Sequence, residues 1–327
     1  MTRPKAEDEL AQPLDVAPAE ALEAPHPRPG LHAVSRAGLV LAALGAIAFS
    51  GKAIIVKLGY RYGADAVTLL ALRMLVAFPF FLMMGFWAAR RSARLSNGDR
   101  RKIVLLGFLG YYLASFLDFA GLAYITATLE RLILYLTPTL VALIGWLAFG
   151  KRISRRQALA LLVSYAGVAL AFGHDLQAGG SNIMLGGALV FGSALAYALY
   201  LVGSGELVAR VGAVRLTAYA SSVASVLCLA QFVVLRPMQA LVLPWEVYVL
   251  SLVNGTLCTV LPVLAVMMAV ARIGSALAAQ VGMIGPVSTI VLSLLLLGEP
   301  MGPWQVAGTV LVMAGVFVVS QQKTVAR

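Results

Sequence analysis

Apolar stretches of about 20 residues, the length an α-helix needs to cross the hydrocarbon of a bilayer, follow one another along this chain with hardly a gap. Bounded by glycine, proline and clusters of charge, they fall near 37–58, 66–88, 103–125, 127–149 and 157–173, then near 183–205, 213–235, 247–270, 274–297 and 303–321. Of the 327 residues 61% are hydrophobic and only 12% are charged, about half the charge of a soluble domain. A surface in water needs that charge and a surface in lipid does not. The pattern predicts an all-α integral membrane protein with ten transmembrane helices.

The net charge of +11 would suit a nucleic-acid partner if the basic residues formed one surface, but they do not. Clusters such as Arg90–Lys102, with six Lys/Arg, and Lys151–Arg156, with four, lie between apolar spans. Counted by loop, 19 Lys/Arg fall in the tails and in alternate loops, two (Arg61 and Arg236) in the opposite loops, and four inside spans. Loops rich in Lys/Arg stay cytoplasmic. Both termini are therefore expected in the cytoplasm, with the protein in a bacterial inner membrane and no nucleic-acid partner.

Catalytic and metal chemistry has little to work with. Cys228 and Cys258 both sit inside apolar runs, while His26, His32 and His174 are scattered in tail or loop. No nucleophile elbow, zinc-protease, P-loop or dinucleotide pattern occurs, so neither an enzyme nor a cofactor is expected. Residues 1–36 carry six prolines and mixed charge without a periodic apolar face, which predicts a disordered tail.

The chain repeats itself at an offset of 148. The segment Pro138 to Lys151 aligns with Pro286 to Glu299, bringing Gly150 onto Gly298, and the same offset pairs Gln157 with Gln305 and Gly167 with Gly315. Shared apolar composition alone would not align proline, glycine and glutamine at one spacing. Two copies, 37–173 and 183–321, each hold five spans. With an odd number per copy, the second enters from the opposite side and the copies are inverted, the architecture of secondary transporters.

The second copy ends Leu297-Gly298-Glu299-Pro300, followed by Gln305, Gly308 and Gly315; with Arg73 in the second span, these residues resemble the EamA-like ten-helix branch of the drug/metabolite transporter superfamily. Lys151 of the first copy departs from that ending, and the two loops lie on opposite sides of the membrane. The resemblance implies export or exchange of small metabolites without ATP.

Ionisable residues inside a span cost about 2.5–3.5 kcal/mol each on insertion scales and need a partner or a cavity. Here they are Lys52, Arg73, Asp118, Glu130 and Arg131, with Lys57 near enough to a span end to reach the surface. At about 1.5 Å per residue, Lys52, Arg73 and Asp118 lie roughly 9–11 Å inside the outer boundary, with Glu130 and Arg131 at about 5–6 Å. Four helices thus place opposite charges in one layer. Two readings stand: the charges pair to lock the helices, or they line a substrate cavity. Arg73 fits the first better, and Lys52 the second. Glu130 and Arg131, being adjacent, point about 100° apart and call for partners on other helices.

At the 148 offset the second copy has no matching charges. It offers Tyr197, Tyr200, Ser221, Asn254, Thr256 and Gln280. The expected site is asymmetric, with charge recognition from the first copy and polar or aromatic contacts from the second, suited to an amino acid or an organic anion. Asp118 and Glu130 are candidate proton carriers, and Pro138 and Pro286, equivalent in the repeat, are candidate hinges. A channel, or a structural protein whose ion pairs only lock helices, is the alternative to a carrier.

Overall fold

The computed structural model describes residues 35–90, 94–150, 154–177, 182–282, 284–299 and 302–320. The expected disordered tail and the Lys151 loop lie outside them, as does the side chain of Gln280. Everything described is helical or a short connection. The helices are α1 (Arg36–Arg61), α2 (Ala66–Ala89), α3 (Asn97–Leu122), α4 (127–149), α5 (Arg155–Gln177), α6 (Ile183–Val211), α7 (Ala213–Leu235), α8 (245–282), α9 (Ile284–Leu297) and α10 (Pro303–Ser320). Among the described residues seven helices are long and apolar enough to span a membrane, and three shorter apolar ones belong to α5, α9 and α10. This is the all-α, ten-helix membrane architecture expected. Large side chains such as Met83, Phe86, Trp87 and Leu295 stand exposed on the outer faces, a surface that only lipid covers without cost.

Local chemistry sets the helix ends. Side chains of Ser35, Asp65, Ser96 and Thr126 accept hydrogen bonds from the first free N–H groups of α1, α2, α3 and α4, and caps of this type are each worth about 1 kcal/mol. Gly150 and Gly298, equivalent in the repeat, end α4 and α9 with φ of 62° and 64°, a left-handed backbone that glycine adopts without a Cβ clash.

The inverted repeat is visible in the packing. A Cβ on Gly38 of α1 would meet Ile273 Cγ2 at 2.5 Å, and a Cβ on Gly186 of α6 would meet Ile125 Cγ2 at the same distance to within 0.2 Å, at 2.7 Å. Gly186 is Gly38 shifted by 148, and Ile273 is Ile125 shifted by 148. Each copy's first helix therefore packs on the equivalent part of the other copy, in or just after its third helix. Across the same pseudo-twofold, α5 and α10 meet through small residues: Gly167 lies against the Gly308 carbonyl, and Gly315 against that of Ala160. Small residues let helix backbones approach closely in a membrane.

Three features depart from the sequence expectation. The fourth span is not one helix but two, Ala127–Leu134 and Thr137–Phe149, separated by a turn at Tyr135 and Leu136. Pro138 lies in the first turn of the second piece, where the missing N–H costs nothing; it starts a helix instead of kinking one. Secondly, α3 and α8 contain π-helical turns, Phe108–Leu113 and Thr256–Val260, which begin 148 residues apart, just after Gly107 and Gly255. Thirdly, the eighth and ninth spans are joined without a loop. Helical residues run from Leu261 to Gly282, but the chain turns back near Ile273, where the span boundary is expected: Ile273 lies on Gly38, Ala278 clusters with Ala42, and Gly285 approaches Ser50.

Candidate functional site

Most of the ionisable residues expected within the spans gather in one cluster. Lys52 of α1 places its Nζ 2.5 Å from Asp118 Oδ2 of α3 and 3.6 Å from Glu130 Oε1 of α4. All three side chains are buried, at 7%, 2% and 0% exposure, so in this low-dielectric setting the charges depend on one another. Glu130 Oε2 lies 4.0 Å from its neighbour Arg131 Nε. Arg131 reaches other helices as well: Nε donates to Thr289 Oγ1 of α9 at 3.0 Å, and Nη2 to the Phe49 carbonyl of α1 at 3.4 Å. The Phe49 ring sits beneath both cations, with Lys52 Nζ 5.3 Å and Arg131 Cζ 5.5 Å from its centroid, close enough for the ring's negative face to help hold them.

Arg73 stands apart. Neither carboxylate pairs with it; Nε donates to Thr259 Oγ1 at 2.9 Å and the guanidinium lies 5.2 Å from the Phe119 ring centre. Thr259 sits in the π turn of α8 and donates in turn to the Asn254 carbonyl five residues back, at 2.7 Å. The wider turn thus presents the hydroxyl to Arg73.

Beside this cluster is a cavity of about 450 Å³. Lys52, Arg73, Asp118 and Arg131 line it from the first copy, together with Pro138; Tyr197, Ser221 and Thr259 line it from the second. Glu130 does not reach the wall, being fully buried behind Lys52. Tyr200 does not reach it either. Its ring packs over Gly110, its hydroxyl is 3.3 Å from that of Tyr111, and the wall there is Tyr111 and Tyr197. Pro286 is buried off the cavity, beside the lining Gly285. Composition gave no signal for Thr259, Thr289, Phe49 or Tyr111, whose places depend on the rotation of each helix.

Along α1 the cavity lining ends at Lys52, and beyond it side-chain contacts tie the helices together. Lys57, about 7.5 Å further along α1 than Lys52, donates to the Ile125 carbonyl at 2.8 Å and lies 3.3 Å from Glu299. The Glu299 carboxylate accepts from Ala127 N–H at 3.0 Å, the first turn of α4, and from the Ser293 hydroxyl of α9. Tyr60 donates to the Phe119 carbonyl and Arg61 to that of Leu297. Four helices from both copies are tied together there.

Two segments of the chain, 36–173 and 184–321, each match the model of the EamA-like transporter family. The chain belongs to the EamA-like transporter family. An uncharacterized transporter of Bacillus subtilis strain 168, YcbK, is 31% identical over 296 residues, covering 86% of this chain and 91% of the relative. A second from that organism, YetK, is 24% identical over 76% of each chain, and a transporter of Archaeoglobus fulgidus is 28% identical over 57% of this chain and 64% of its own length. A crystal structure at 16% identity matches 86% of this chain with a TM-score of 0.59, a likeness of fold. The protein is therefore a multi-pass membrane transporter, and membership of the EamA-like family fixes no substrate.

Proposed function

We propose that this protein is a secondary transporter, an exporter or exchanger of small charged metabolites such as amino acids or organic anions, working by alternating access without ATP. One observation carries the reading: a cavity between two inverted copies, charged from one and polar or aromatic from the other. Its volume is within the range of small-molecule sites, about 300–1,000 Å³. Inverted-repeat transporters hold their substrate at that interface and rock one copy against the other. The Lys/Arg distribution supports cytoplasmic termini and a bacterial inner membrane, which makes the tied end external and the cavity inward-leaning.

Asp118 and Glu130 share Lys52. Three ionisable groups with one cation between two acids suit proton coupling, because a proton entering the pair releases the lysine from one carboxylate. The break at Tyr135–Leu136, with Pro138 just after it, suits a hinge, and Pro286 holds the equivalent place in the other copy. The tied end speaks against an open channel.

Proteoliposomes loaded with labelled amino acids and organic acids test the reading. Exchange without ATP is expected, weakened by Lys52→Ala and by Asp118→Ala. Exchange that is unchanged in both variants refutes the site, and indifference to an imposed pH gradient refutes proton coupling.

A further inference from the structure

The five charges around the cavity do not balance. Three are cations and two are anions, and both anions turn towards Lys52, with the second Glu130 oxygen 4.0 Å from Arg131. Arg73 is left over. Among the described residues no carboxylate lies within ion-pair distance of it; its hydrogen bond goes from Nε to a neutral hydroxyl. Its residue is 6% exposed, and Nη1 is buried without a hydrogen-bond partner, although the side chain lines the cavity.

A guanidinium within a membrane span is costly unless an opposite charge meets it. Its planar edge of N–H donors matches a carboxylate better than any other small anion of biology except phosphate. With Nε fixed by Thr259 and the plane set against Phe119, the remaining edge is oriented before anything binds. Beside its charged and hydroxyl groups, the cavity that Arg73 lines is walled by Met74, Phe81, Tyr111 and Tyr197, surface that suits an apolar or aromatic body.

We propose that Arg73 is the anion anchor of the transport site, and that the substrate class is small molecules bearing a single carboxylate on an apolar or aromatic body. Lys52 then belongs to the coupling cluster and is not the group the substrate's charge meets, the reverse of the roles expected from sequence. The proposal rests on the carrier reading. A zwitterion also fits the chemistry, since Asp118 lines the cavity and its Oδ1 is buried without a hydrogen-bond partner.

The test is thermal unfolding of the purified full chain in detergent, titrated with phenylacetate, phenylacetamide, phenethylamine, succinate and L-phenylalanine. Phenylacetate is expected to stabilise the protein by mass action, the neutral amide and the amine to do nothing, and the dianion to do less. Stabilisation by L-phenylalanine equal to or above that by phenylacetate assigns the zwitterion within the class. Arg73→Gln should need at least about tenfold more phenylacetate for the same shift, the factor set by losing about 1.4 kcal/mol of a charge-assisted contact. Should that variant not fold, Arg73→Lys, which keeps charge but loses the fork, and Thr259→Val, which frees Nε, are each expected to weaken the response. Equal stabilisation by the amide or amine, an undiminished response in these variants, or no response of the wild type to any carboxylate overturns the proposal. Exchange in vesicles that persists through such a result leaves the carrier reading standing; absence of all exchange refutes that reading instead.

Discussion

The Lys57 ammonium stands 3.3 Å from the Glu299 carboxylate, and this contact ties the first helix of one copy to the end of the fourth helix of the other. Glu299 does more than pair a charge. It also accepts from the first turn of α4 through Ala127 N–H, where an anion is favoured by the helix dipole and by the free donors. Losing both roles in Glu299→Ala should cost about 1–2 kcal/mol. Glu299→Gln keeps an acceptor and should cost less. Lys57→Met should cost least, because Lys57 is partly exposed and such pairs contribute little. Thermal unfolding in detergent checks the order; a lysine variant as damaging as Glu299→Ala would contradict it.

The buried cluster predicts an unequal pair of effects. Lys52→Met strands two carboxylates without their cation, and removing one partner of a buried pair costs about 3–5 kcal/mol. Asp118→Asn leaves Lys52 with Glu130 at 3.6 Å and should be milder. The double variant should recover part of the loss. Melting temperatures of the three proteins decide this, and additive losses would show that the residues do not act as one unit.

Glycine positions separate contacts that can yield from contacts that cannot. A Cβ on Gly38 meets Ile273 Cγ2, so the cost of Gly38→Ala, about 1–3 kcal/mol for overpacking, should be relieved by Ile273→Ala, which removes that atom. A Cβ on Gly167 meets the Gly308 carbonyl at 2.7 Å. That atom is backbone, and truncating the neighbouring Leu311 or Val312 should not rescue Gly167→Ala. Yield of folded protein by size exclusion is the readout, and rescue in the second case would place the α5–α10 seam differently.

At the N-terminus of α2, Asp65 provides a pH signature outside the spans. Burial raises its carboxyl pKa, but hydrogen bonds from Thr68 and Arg236 outweigh burial and hold it below the ordinary 3.8. A depressed folded-state value means stability that is fully present above 3.8 and lost as pH falls through the lower folded value. Asp65→Asn should therefore lower the melting temperature at pH 6 and converge with the wild type in strong acid. A constant difference across that range would contradict the assignment.

The sequence carried the scaffold because the bilayer makes two things expensive, unsatisfied backbone and unpaired charge. Ten spans and the grouping of Lys52, Asp118 and Glu130 follow from those costs, while the 148-residue offset is legible in the aligned proline, glycine and glutamine. What length and hydropathy do not encode is helical phase and local winding. The π turn that presents Thr259 to Arg73 and the turn at Tyr135–Leu136 each depend on which face meets which neighbour. Tyr200 illustrates the same limit. Three residues from Tyr197, about 4.5 Å along the helix, it reads as part of the same wall, but it packs over Gly110 while Tyr197 lines the cavity.

Alternating access makes the most direct demand of all, one that needs no substrate. With Cys228 and Cys258 replaced by alanine, a single cysteine at Ser115, on the cavity wall, reports access from each face of an oriented vesicle to a membrane-impermeant maleimide. Labelling from the side of the α1 N-terminus should dominate while Lys57 and Glu299 hold the other end shut. Adding Glu299→Gln should raise labelling from the α1 C-terminal side and lower it from the other in proportion. A rise on one side with no fall on the other would mean a pore open at both ends, and would contradict a carrier.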